Sequence, residues 1–265
     1  MELIDTHCHL TFEELAGDIE QVLQRSKDAG VTSWITVGTD TQENRKALEL
    51  AARFENMYAA VGIHPHDAKS VTADTIAALE KLAQNEKIVA IGETGLDYHY
   101  DFSTPQDQKR VFAQQLEIAT ELNLPVIIHC REAFDDTLEI LEQFGRDVQK
   151  VVFHCFSGSA EQAKVVLDKG FYISFTGVVT FKNARKKQQA AEIVPLDRLM
   201  LETDCPYMSP EPMRKQKVNE PALMIHTTKF LAQLKQMDLA DFAKAVTATA
   251  KTFFNLPSTD TAGSA

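Results

Sequence analysis

Several protein classes need features that this sequence lacks. None of its four cysteines, Cys8, Cys130, Cys155 and Cys205, forms a Cys-x-x-Cys pair, which weighs against a structural zinc knuckle. No apolar run approaches the ~20 residues needed to span a bilayer. The opening Met1-Glu2-Leu3-Ile4-Asp5 has no basic n-region and no apolar stretch behind it, so no secretory signal is readable. Basic charge is scarce too. Lys plus Arg is 27 against 38 Asp plus Glu, a net charge of −11. That balance argues against a broad cationic surface for coating duplex DNA, but leaves room for a cationic pocket or metal pair that engages a few phosphates. No Gly-x-Gly-x-x-Gly turn follows the first apolar run, which disfavours an open dinucleotide-binding sheet. Trp34 and most phenylalanines read as core, and no aromatic platform of a single-strand-binding fold is visible. The expectation is a cytoplasmic protein with reduced thiols, no membrane contact and no readable obligate protein partner.

What is present is a rhythm. Eight short runs rich in Val, Ile and Phe cover 3–10, 31–39, 57–65, 87–97, 124–131, 150–158, 171–177 and 199–206. Near-continuous apolarity over so few residues suits parallel strands covered on both faces. Helical patterns lie between them, at 13–29, 42–55, 73–86, 104–122, 133–144, 159–169 and 183–193, with two more at 221–235 and 239–254. Thr104 is placed to cap a helix whose first position is Pro105, and Gly30 offers a left-handed stop. Strand and helix alternating eight times predicts an α/β fold, a (β/α)8 TIM barrel. The reading is one domain over 1–256, followed by a polar, disordered tail at 257–265.

Metal-capable residues gather at the ends of these strands. The first ends His7-Cys8-His9, the fourth Gly92-Glu93-Thr94-Gly95-Leu96-Asp97, the fifth His129-Cys130-Arg131, the sixth His154-Cys155 and the eighth Glu202-Thr203-Asp204-Cys205-Pro206. In a barrel these ends meet at one mouth, where such enzymes keep their active sites. Residues i and i+2 of a strand share a face, so His7 and His9 can both aim inward. By the same alternation, Cys8 and the cysteines following His129, His154 and Asp204 turn away as small buried hydrophobes. Four imidazoles and two carboxylates are too many for one four-coordinate ion. They fit two divalent ions, with Glu93 as the bridge, about 3.5–4 Å apart and able to clamp a phosphate and activate a water. Asp204 can ligate an ion and accept the water's proton. The mixed ligand set suits Zn2+ or Mn2+ better than Mg2+.

The runs Ile4-Asp5-Thr6-His7-Cys8-His9, Gly62-Ile63-His64-Pro65, Ile91-Gly92-Glu93-Thr94-Gly95-Leu96-Asp97, His129-Cys130-Arg131, His154-Cys155-Phe156 and Glu202-Thr203-Asp204-Cys205-Pro206-Tyr207 closely resemble the TatD family of metal-dependent deoxyribonucleases. Asn219-Glu220-Pro221 fits as well. The likeness runs from residue 4 to about residue 254. It implies a barrel of the amidohydrolase-like superfamily. It also implies His7, His9, Glu93 and Asp204 at one metal position, with Glu93, His129 and His154 at the other. The implied activity is phosphodiester hydrolysis, as a 3′→5′ exonuclease working on DNA ends. Barrels of this kind that cleave amides often bridge their metals with a carboxylated lysine on strand four. Glu93 stands there instead, which favours the phosphodiesterase over an amidase or esterase such as an aminoacyl-tRNA deacylase.

Other residues are read from position. His64 can donate to a substrate phosphate, and Arg131 carries a fork suited to phosphate. His66 reads as a solvated loop residue. Asp5 and Glu202, each two residues before a ligand, are expected behind the metal ligands, Asp5 orienting a histidine ring. Arg214-Lys215-Gln216-Lys217 is expected to overhang the mouth in the loop after strand eight.

Overall fold

The computed structural model describes residues 1–145, 148 and 150–257. The tail expected at 257–265 therefore lies outside the described residues, apart from Pro257. Eight parallel strands follow one another in chain order: β1 Leu3–Cys8, β2 Val31–Val37, β3 Met57–Val61, β4 Ile88–Asp97, β5 Val126–Arg131, β6 Val151–Phe153, β7 Tyr172–Phe175 and β8 Leu199–Leu201. Residues just beyond the strands close the seam between β8 and β1. Asp204 N donates to His7 O and His9 N to Cys205 O, both at 2.9 Å. Thr6 Oγ1 donates to Leu201 O at 3.0 Å. The result is a nearly closed TIM barrel.

Among the described residues ten α-helices accompany the strands: α1 Glu13–Ala16, α2 Ile19–Asp28, α3 Thr41–Arg53, α4 Ala73–Ala83, α5 Pro105–Leu122, α6 Phe134–Phe144, α7 Ala160–Asp168, α8 Arg185–Ile193, α9 Met224–Leu234 and α10 Leu239–Phe254. Thr104 caps α5 by accepting from Asp107 N, with Pro105 opening the helix. Gly30, at φ 90°, ends the α2 turn. The single helix expected over 13–29 is broken at Gly17-Asp18, where Asp18 leaves helical geometry at φ −133°. None of the described helices is long and apolar enough to cross a membrane.

Two apolar layers hold the barrel. Between strands and helices lie Leu3, Trp34, Met57, Phe112, Phe153 and their neighbours. Inside, Ile4, Ile35, Ala60, Ala90, Ile127, Val152 and Met200 pack against Phe253 and Phe254 of α10, which plug the bottom. The interior is thus filled below and open only above, at the C-terminal strand ends.

Strict alternation does not carry the candidate ligands inward. With Ile4 facing the interior, it would turn Thr6 and Cys8 in and His7 out. The β1–β2 register shifts between Asp5 and Cys8, and the β4–β5 register between Ile91 and Thr94. These irregularities reset the phase, so that His7 and Glu93 face the mouth. At Gly95, φ is 134° and an added Cβ would lie 2.1 Å from His129 O. Glycine therefore lets β4 and β5 approach closely where Glu93 and His129 must meet.

Strands six and eight are shorter than their apolar runs. His154 and Asp204 sit just past them, beside the left-handed residue Cys155 (φ 44°) and, for Asp204 itself, at φ 53°. Such backbone is uncommon outside glycine and ends the ladder at once. The turns aim these side chains back over the barrel axis.

Candidate metal centre

The mouth holds a cavity of about 730 Å³, lined among others by His9, His64, Glu93, His129, His154 and Asp204. His7 lies against them, fully buried. His7 Nε2 is 3.3 Å from His9 Nε2, 3.4 Å from Glu93 Oε2 and 3.7 Å from Asp204 Oδ1. His9 Nε2 lies 3.7 Å from Glu93 Oε2 and 3.3 Å from Asp204 Oδ1. Four ligands about 2.1 Å from one centre in a tetrahedron stand about 3.4 Å apart, so these spacings match a coordination shell.

The other oxygen of Glu93 serves a second group. Oε1 is 2.7 Å from both His129 Nδ1 and His154 Nε2, and 3.5 Å from His64 Nε2. His64 Nε2 in turn lies 3.3 Å from His129 Nδ1. One carboxylate therefore faces two donor sets, one with each oxygen. His7, His9 and Asp204 make one compact set of possible ligand atoms, and His64, Glu93 and His129 another. Among the described residues, the far ring nitrogens, Nδ1 of His7 and of His154, are buried without a hydrogen-bond partner, and it is the Nε2 atoms that face the donor sets. Buried imidazoles and carboxylates converging on shared centres fit divalent cations.

Electrostatics agree with that density of charge. Burial raises the Glu93 carboxyl, but the imidazoles of His154, His64 and His129 overrule it and hold it well below the usual range. Asp204 is likewise lowered against burial by His9, His7 and His154. Burial lowers His7, and His154 adds to the effect. Burial takes His64 down to about 4, so its ring is neutral at pH 7. Its Nδ1 accepts from His66 N at 3.2 Å, which leaves the proton on Nε2, pointing into the cavity.

Residues 4–255 match the family described as TatD related DNase. This chain belongs to the TatD family. It is 42% identical over 254 residues to an uncharacterized metal-dependent hydrolase, YabD, of Bacillus subtilis, covering 96% of this chain and 99% of that protein. It is 35% identical over 258 residues to the 3′-5′ ssDNA/RNA exonuclease TatD of Shigella flexneri, covering 96% and 99%. A solved TatD homologue from Escherichia coli, YJJV, superposes with a TM-score of 0.91 at 32% identity, covering 96% and 98%.

The TatD-family barrel gathers His7, His9, Glu93, His129, His154 and Asp204 as the strand ends implied. The two acids expected behind them differ from each other. Asp5 was expected to orient a histidine ring and does not. Its carboxylate accepts from Thr203 N at 2.9 Å, from Thr203 Oγ1, and from the backbone N of His7 at 3.4 Å. The register shift after Asp5 takes it out of phase with His7, so it ties β1 to the segment after β8. Burial pushes its carboxyl up to about 7, although both Thr203 donors pull the other way. Glu202 lies behind His154: its Oε1 is 3.6 Å from His154 Nδ1, while its oxygens accept from Cys155 N and from Ser174 Oγ at 2.7 Å.

Arg131 lines the cavity with its guanidinium 5.0 Å from the Tyr100 ring centroid, and among the described residues it has no carboxylate partner. The basic loop contributes nothing to the cavity lining. Arg214 is instead 4.0 Å from Glu211 and lies over the Phe181 ring at 4.1 Å. Lys187, in the first turn of α8, is the lysine at the cavity wall. Cys8 and Cys205 are buried as expected, but Cys130 and Cys155 line the cavity. Burial raises these two thiols to about 11 and about 12, so they stay protonated.

Asp97 escaped the sequence reading. It is fully buried, and its Oδ2 is 2.9 Å from His129 Nε2 and 3.1 Å from His66 Nε2. His66 is accordingly not a solvated loop residue: the turn Pro65–Ser70 folds it back onto Asp97. Gln108 of α5 fixes this corner, accepting from Asp97 N at 2.8 Å and donating to Asp97 O at 2.9 Å. The available signal was the motif's own spacing, since Asp97 follows Glu93 by four residues along one strand.

Proposed function

We propose that this chain is a two-metal phosphodiester hydrolase, acting as a 3′→5′ exonuclease on the ends of single-stranded DNA, and that residues 1–256 act as one domain. The observation that carries the reading is the division of Glu93, with Oε2 toward His7, His9 and Asp204 and Oε1 toward His129 and His154. A bridging carboxylate between two donor sets suits in-line phosphodiester displacement. Relatives named as single-strand exonucleases, matched over nearly the full chain, support the substrate class.

Divalent cations there would supply Lewis acidity, withdrawing charge from the phosphodiester and acidifying water. His7, His9, Glu93 and Asp204 would hold one, and Glu93, His129 and His154 the other. Zn2+ or Mn2+ suits the imidazole-rich donors better than Mg2+. Asp204, at the cavity edge, accepts the proton of the attacking water. His64 donates from Nε2 to a phosphate oxygen, and Arg131 takes a neighbouring phosphate with its fork.

The test is turnover of end-labelled single-stranded DNA and RNA after chelation and re-addition of Zn2+, Mn2+ or Mg2+ singly. Metal-restored release of nucleotides from the 3′ end supports the reading. Undiminished activity after complete chelation, or none on either polymer with any metal, defeats it.

A further inference from the structure

Large aromatic side chains normally bury most of their surface. Tyr100 and Phe102 do not: they are 42% and 51% exposed, in the loop between β4 and α5. Their ring centroids are 5.4 Å apart at an interplanar angle of 32°. His99 stands edge-on to Tyr100 at 4.7 Å, and its Nδ1 is 2.8 Å from Glu132 Oε1. His66 supports both rings from below, 5.5 Å from Tyr100 and 4.8 Å from Phe102. The same His66 is held by Asp97, which also holds His129. Two hydrogen bonds thus connect the exposed rings to the metal-site candidates. Tyr100 and Arg131 line the cavity that contains Glu93 and Asp204.

This arrangement differs from a stray surface aromatic. The rings are braced by His66, Tyr100 lines the cleft, and the guanidinium of Arg131, with no carboxylate partner among the described residues, stands over the Tyr100 ring. We infer that Tyr100 and Phe102 form a stacking platform for an unpaired base of the substrate strand, next to the nucleotide being released, with Arg131 on the intervening phosphate. The inference rests on the proposed function and adds where the strand lies. In a duplex, neighbouring bases cover each base's faces, so the platform selects single strands. Every base has a π-face, so it selects little among sequences.

The metal-loaded full chain is assayed on an end-labelled single-stranded oligodeoxynucleotide and on copies with one abasic residue at the second, third or fourth position from the degraded end. Phe102→Ala and Phe102→Trp are compared with the wild type; position 102 is exposed, so the fold does not depend on it. In the wild type, an abasic residue at one of these positions raises KM roughly 5- to 150-fold, the range of one base–aromatic stack. Phe102→Ala shows that rise on the all-base strand, and the abasic residue then adds little. Phe102→Trp restores the wild-type pattern. An unchanged abasic penalty in Phe102→Ala overturns the platform while wild-type cleavage keeps the nuclease reading. If the wild type cleaves none of the strands, the nuclease reading falls and the platform with it.

Discussion

Asp97 and His129 form a buried pair, Oδ2 to Nε2 at 2.9 Å, and the same imidazole turns Nδ1 to Glu93 at 2.7 Å. A carboxylate behind a ligand histidine fixes its tautomer and orientation. The other oxygen, Oδ1, accepts from the backbone N of His99 and Tyr100. An amide offers one acceptor where this carboxylate uses two. Asp97→Asn is expected to lower metal affinity or kcat/KM about 10- to 100-fold, read by titrating activity with metal. Wild-type values would show that His129 needs no such support.

Removing the proposed proton acceptor should be more severe. Asp204→Asn keeps the shape but cannot take a proton near neutral pH. Turnover is expected to fall by at least ~10²-fold, the usual contribution of a general base. Because Asp204 borders the cavity, the melting temperature should stay near that of the wild type. Full activity in the purified variant would remove Asp204 from the mechanism.

Gln115 of α5 supports the strand ends in another way. It is fully buried, accepts from Ile63 N at 2.7 Å and donates to Ile63 O at 3.0 Å and to Thr94 Oγ1 at 2.6 Å. Gln115→Ala leaves backbone groups of Ile63 buried without partners. The expected cost is about 2–4 kcal/mol, from unsatisfied buried polar groups, measured by urea denaturation. A loss near zero would mean that water replaces the amide.

Cys155 lines the cavity, but its Sγ is engaged by Thr176 Oγ1 at 3.5 Å and Met208 Sδ at 3.9 Å. Cys155→Ser is therefore expected to retain metal content and turnover, checked by elemental analysis and the oligonucleotide assay. Loss of bound metal would make the thiol a ligand.

The barrel and the convergence of six metal-capable side chains were legible because eight apolar runs and five strand termini repeat one local pattern. Residues that depend on breaks in that pattern were harder to read. The register shift in β1 leaves no mark in the apolar run, so Asp5 was paired by alternation with a ring it does not touch. The left-handed backbone at Cys155 and Asp204 hid in runs that read as longer strands, and turned Cys155 toward the cleft. His66 looked like loop because nothing local shows that the turn after β3 reaches Asp97, thirty-one residues on. Most phenylalanines read as core because aromatic residues usually are, and only the fold leaves Phe102 exposed.

The central claim is that Glu93 bridges two cations. Crystals grown with Mn2+ and measured at the manganese absorption edge test it directly. Two anomalous peaks are expected at the barrel mouth, one beside His7, His9 and Asp204 and one beside His129 and His154, with Glu93 between them. A single peak away from Glu93, or no peak at a metal concentration that supports turnover, would contradict it.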